Sequence, residues 1–173
     1  MKLKLILPSL VAVGILTGCA TSKPDLMKGE AEKHGMESFY LPNAEASRVV
    51  SVTNAGPAAM SILVQTHRVA VKETGPKETI TRFGEVYSLS PAFFAVRRDE
   101  PTQIRFWNLQ PDDIHSFMLV DPRLQVLMNV QLPPLQETAY VFTFHEEGLF
   151  NFVCTMHPTV MTGQILVLPP KNP

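Results

Sequence analysis

The sequence predicts an all-β domain, a β-sandwich or barrel, behind an N-terminal stretch that does not belong to it. Three observations carry this reading. Short β-rich runs follow one another from Arg48 onward, turn residues bound many of them, and 45% of the 173 residues are hydrophobic, enough for one packed core. No internal repeat, low-complexity tract or second folded domain interrupts the series.

The runs are Arg48 to Thr53, Ser61 to Lys72, Ala92 to Arg98, Thr102 to Asn108, Ser116 to Val120, Glu137 to Phe144, Leu149 to Cys154 and Gln164 to Leu168. Each has the β-branched and aromatic content that suits a pleated, half-buried surface. From Pro57 to Glu73 the apolar residues fit neither a helical nor a strand period, so helix and strand both stay open there. Elsewhere alternation sorts the side chains by face. Tyr140, Phe142 and Phe144 share one face, and Phe150, Phe152 and Cys154 another. His115 aligns with Phe117 and Leu119.

The first residues read as an export signal. Lys2 and Lys4 precede a 12-residue apolar run, Leu5 to Leu16, too short to span a bilayer but suited to the core of a secretory signal. The run meets Leu16-Thr17-Gly18-Cys19, which resembles a bacterial lipobox, whose cysteine is lipidated and becomes the new N-terminus. The expected organisation is a signal peptide over 1–18, a tether over 19–45 and a folded domain over 46–173. The tether is polar, carries Pro24, Gly29, Gly35 and Pro42, and shows no sustained apolar period. Ala20 and Thr21 after Cys19, rather than aspartate, favour the outer membrane, facing the periplasm, by resemblance to Gram-negative sorting.

Removal of residues 1–18 takes away two lysines and no acid. The 15 basic and 16 acidic residues become 13 and 16, a formal charge of −3. No basic patch remains to neutralise many phosphates, so nucleic acid is not an expected partner. An exported chain with one cysteine left has no internal disulfide to make. Cys154 is then a buried structural thiol, an intermolecular bridge or a metal ligand.

Its surroundings favour the ligand. Asn151 to Gly163 reads NFVCTMHPTVMTG and places Cys154, His157 and Met161 in a C-x2-H-x3-M spacing that one tight loop can gather around a point. His115, 39 positions earlier, supplies a second imidazole. Two imidazoles, a thiolate and a weak thioether make a trigonal set that suits both oxidation states of copper. Zinc accepts the same donors, but a methionine in fourth place is uncharacteristic of it. Met156 is a competing thioether whose position two residues after Cys154 points it away. His67 and His145 are read as structural, and His34 as solvated.

On these residues the sequence resembles the cupredoxins, the blue-copper proteins. GEVYSLSPAFFAVRRDEPTQIRFWN is similar to their opening strands, DDIHSFMLV to the first-histidine segment and EEGLFNFVCTMHPTVMTGQILVL to the closing ligand loop, with the clearest resemblance over 84–169. The resemblance implies a Greek-key β-sandwich holding one copper through His115, Cys154, His157 and Met161. HSF is also similar to the copper domain of cytochrome oxidase subunit II, but a single loop cysteine implies a mononuclear site. Many cupredoxins carry an asparagine directly after the first histidine to tie the ligand loops together; here the residue is Ser116.

Four protein donors leave little open coordination, and the histidines include no His-x-His pair of the kind multicopper oxidases use. The expectation is therefore a monomeric electron carrier with no catalytic residues, exchanging electrons with redox proteins of the envelope. Docking is expected at the His157 edge, over Met156, Pro158 and Val160. A copper-delivery lipoprotein is the alternative, and Met27, His34 and Met36 in the tether are the donors that would support it.

Overall fold

The computed structural model of the chain describes residues 38–158 and 160–171. The predicted signal peptide, Cys19 and the tether as far as residue 37, with Met27, His34 and Met36, lie outside the described residues. Ten strands are seen among those described. β1 (Val50–Thr53), β2 (Met60–Ala70), β3 (Val86–Ser90), β5 (Thr102–Trp107) and β8 (Glu137–Phe144) form one sheet, in the order β1-β8-β5-β2-β3. The second holds β4 (Phe93–Arg97), β6 (His115–Val120), β7 (Val126–Leu132), β9 (Gly148–Val153) and β10 (Thr162–Leu168), in the order β4-β10-β9-β6-β7. Pairing is antiparallel except for β2 with β5 and β10 with β4, which run parallel. No described helix is long and apolar enough to cross a membrane.

The core lies between the sheets and is largely aromatic. Phe106 of β5 meets Phe117 of β6 at a ring-centroid separation of 4.5 Å, and Phe144 of β8 meets Phe150 of β9 at 5.0 Å. Phe142 joins Phe106 and Phe117 edge-on. Edge and tilted arrangements of this kind contribute about 0.5–1.5 kcal/mol per pair beyond burial, because the ring edge is positive and the face negative. The inward rows expected of β6 and β9 are buried, whereas in β8 Tyr140 is half-buried and Val141, on the opposite face from Phe142, is buried as well. His115, Phe117, Leu119, Phe142, Phe144, Phe150, Phe152 and Cys154 are all buried.

The structure settles the stretch left open and departs from the sequence reading elsewhere. The ambiguous stretch is strand, β2, and it lacks a clean period because only Val64, Thr66 and Ala70 of its eleven residues are buried. β3 and β7 are both absent from the predicted series of runs; in β7 Leu127 to Val130 are buried in succession and alternation is lost. Tyr40 forms an isolated antiparallel bridge with Asn129, exchanging backbone hydrogen bonds of 2.6 and 3.0 Å. Residues 38–41, assigned from sequence to the tether, thus shield part of the edge that β7 would otherwise present. A further departure is α1 (Lys77–Phe83), a short helix with no buried residue, which lies with β3 in the chain after β2.

Candidate metal centre

His115 opens β6, Cys154 follows directly on β9, and His157 and Met161 lie in the connection from β9 to β10. That connection is a set of tight turns fastened by its own backbone. His157 N–H donates to Cys154 O at 3.1 Å, Met161 N–H to His157 O at 3.0 Å and Cys154 N–H to Met161 O at 2.9 Å. The last two bonds bring Met161 back beside Cys154. Gly163 then allows β10 to start in a crowded place: a Cβ there would lie 2.1 Å from Cζ of Phe152 and 2.4 Å from the carbonyl oxygen of Ala92. Only a residue without a side chain fits.

The three strong donors predicted from sequence come together. The ligand atoms of His115, Cys154 and His157 all lie within 4.8 Å of one another. Each imidazole turns Nδ1 toward the thiol, at 3.9 Å from Sγ for His115 and 3.8 Å for His157. Those separations are too long for strong hydrogen bonds to sulfur, but they suit an intervening ion. Bonds of about 2.3 Å to sulfur and about 2.0 Å to nitrogen, 120° apart, place S and N about 3.7 Å from each other. The two sulfur–nitrogen edges therefore suit a three-donor metal ion, all donor atoms lie within 4.8 Å of one another, and the soft-sulfur, imidazole composition is that of type 1 copper. Met161 is fully buried on the same loop, whereas Met156 is 41% exposed, as its position after Cys154 led one to expect.

Burial sets the protonation of the imidazoles. His115, with no solvent exposure, is lowered from the usual 6.5 to about 4, first by desolvation and then by the neighbouring His157. His157 is lowered too, again mainly by desolvation. Both rings are therefore neutral at neutral pH, the form that offers a lone pair to a metal. Asp113 opposes both shifts, so its carboxylate is within electrostatic reach of the two rings.

Ser116 takes over the tying of the ligand loops. Its backbone N–H points at Cys154 Sγ at 3.3 Å, its hydroxyl lies 2.8 Å from Thr155 Oγ1, and the same oxygen accepts the Thr155 N–H at 2.8 Å. The departure at this position thus still links β6 to the cysteine loop. Two further features were not identified as part of the site from sequence. Tyr87 of β3 packs against both imidazoles, with ring centroids 4.9 Å from His115 and 4.7 Å from His157, and its hydroxyl donates to the Asp113 carboxylate. Asn108, fully buried, donates through Nδ2 to the carbonyls of Asp113 and Leu132 and accepts from Thr66 Oγ1 and Gln110 N–H, so it holds the segment leading into His115. The alternation of β3 could have shown Tyr87 to be inward; nothing local shows that it meets residues 28 and 70 positions away.

The other predicted residues lie apart. Pro158 is exposed and Val160 half-buried, and both follow His157 on its loop. His67 is exposed on β2. His145 lies just beyond β8, between Ser51 Oγ at 2.7 Å and Asp99 Oδ1 at 2.8 Å, where it fastens β1 to the turn after β4.

No family model and no curated protein matches the sequence. Solved structures do. A multicopper oxidase from Campylobacter jejuni, described as a metallo-oxidase, superposes with a TM-score of 0.51 at 9% identity over 67% of this chain and 31% of its own. A copper nitrite reductase from Nitrosomonas europaea gives 0.50 at 12% identity, over 66% and 51%. Auracyanin B gives 0.49 at 13% identity over 70% of this chain and 99% of its own. The chain spans about half or less of the two enzymes and nearly all of auracyanin B. The likeness is one of fold: this chain has the cupredoxin fold, a two-sheet β-sandwich with the donor cluster between β6 and the β9–β10 connection.

Proposed function

We propose that the protein is a mononuclear blue-copper electron carrier tethered to the bacterial envelope by a lipid on Cys19. The observation that carries this reading is the burial of the donor set. His115, Cys154 and Met161 have no solvent exposure, and His157 alone is partly open. Copper, when bound, supplies one-electron chemistry between Cu(I) and Cu(II). The chain's own contribution is to hold His115 Nδ1, His157 Nδ1 and Cys154 Sγ as donors, with Met161 as the weak fourth, and to exclude water and substrate. Rigid anchorage through Ser116, Asn108 and the loop backbone keeps the donors in place when the charge changes.

Electrons would pass through the His157 edge. Met156 and Pro158 are exposed beside it, an apolar surface of the kind that serves brief contact with a redox protein. Voltammetry of the copper-loaded protein tests the assignment. A carrier cycles reversibly with copper retained against a chelator, and Met156→Lys slows exchange with its partner while leaving the spectrum intact. Loss of the metal on reduction would favour copper delivery instead. The anchor has its own test: Cys19→Ser abolishes incorporation of labelled palmitate in cells, and continued labelling would refute it.

A further inference from the structure

The copper ligands share a neighbour that neither the donor set nor electron transfer requires. Tyr87 lies against both imidazoles, which are themselves 5.1 Å apart between ring centroids, and its only polar atom is given to Asp113. Asp113 stands two residues before His115 and is half-buried, with its backbone carbonyl held by Asn108 at 2.8 Å. The residue is therefore held from two sides, its carboxylate by a side chain touching both histidines and its backbone by a buried amide. Its neighbour Asp112 differs in every respect: 67% exposed, it pairs with Arg68 at 2.7 Å, where solvent and the guanidinium screen it.

A fixed negative charge beside a metal favours the more positive oxidation state. Resting on the reading of the site as a copper centre, we propose that Asp113, held in place by the Tyr87 hydroxyl, lowers the reduction potential of the bound copper. Tyr87 acts as a positioning residue: its ring braces the two imidazoles and its hydroxyl aims the carboxylate. The pair fits this role better than that of a loop fastener alone, because Asn108 already fastens the segment by its backbone.

The test compares the potentials of four copper-loaded forms: wild type, Asp113→Asn, Tyr87→Phe and Asp112→Asn. Asparagine keeps the shape and an acceptor for the Tyr87 hydroxyl while removing the charge. It is expected to lower the ratio of Cu(II) to Cu(I) affinity about tenfold, an upward shift of about 59 mV for a one-electron couple. Tyr87→Phe keeps the ring and frees the carboxylate, so it shifts the potential upward by less. Asp112→Asn removes the same formal charge and is expected to shift it least. The charge-transfer band and copper hyperfine splitting should persist in all four, which separates an electrostatic effect from a lost ligand. A shift in Asp113→Asn no larger than that in Asp112→Asn overturns the proposal. If Asp113→Asn takes up no copper, Tyr87→Phe decides: an unchanged potential in that variant overturns it equally. A wild type that binds no coloured copper contradicts the site assignment itself, an outcome distinct from a coloured protein whose potential does not respond.

Discussion

His115 illustrates what a metal site costs the protein that lacks its metal. The ring is fully buried and its Nε2 has no hydrogen-bond partner among the described residues, so the charged form is disfavoured and its pKa falls to about 4. The unfolded chain, with an ordinary value of about 6.5, binds a proton more readily. Between those values the unfolded state holds more protons than the folded one, so stability falls as pH falls. The metal-free protein is expected to lose on the order of 3 kcal/mol as pH drops from about 7 to below about 4, at 1.36 kcal/mol per unit of pKa difference. Urea unfolding of the metal-free wild type and His115→Phe at several pH values checks this. The variant should show a shallower decline, and identical slopes would contradict the assignment. Ser116 shows the other side of the residue scale, since a hydroxyl and a backbone N–H suffice to join the two ligand segments.

The β9–β10 pair places most of the donors, and its tolerance is set by one position. Gly163 faces Phe152 across the ladder, and added bulk would meet both that buried ring and the backbone of Ala92. Gly163→Ala is expected to destabilise the fold by about 1–3 kcal/mol through overpacking and to weaken copper retention, because β10 begins one residue after Met161. Thermal unfolding and chelator competition measure the two effects. An alanine variant as stable as wild type would show that the strand shifts freely. This pair was also the most legible part of the sequence, since Phe150, Phe152 and Cys154 alternate plainly and the C-x2-H-x3-M spacing follows at once. β7 was not legible and β2 only in part, for opposite reasons. Leu127 to Val130 are buried on both faces of β7, with Tyr40 bridging its edge, whereas β2 is exposed along most of its length. Tyr87 was missed as a site residue because its role depends on β3 lying beside segments far away in the chain. Such contacts are created by topology and carry no local period.

At the scale of the whole molecule the sandwich serves as a rigid holder. Its aromatic core joins the two sheets, and the donor cluster lies where β6 from one part of the chain meets the closing loop from another. Such a site forms only when the fold forms, so copper binding and folding are coupled, and a metal bound to the native state alone adds stability according to its affinity. His115, Cys154 and His157 are to hold one copper ion with the thiolate bound directly to it. Optical absorption of the purified domain with one equivalent of Cu(II) tests this most directly. An intense visible band from thiolate-to-copper charge transfer is expected, abolished by Cys154→Ala and by His115→Ala. Tight binding of Cu(II) by the wild type without that band would contradict it.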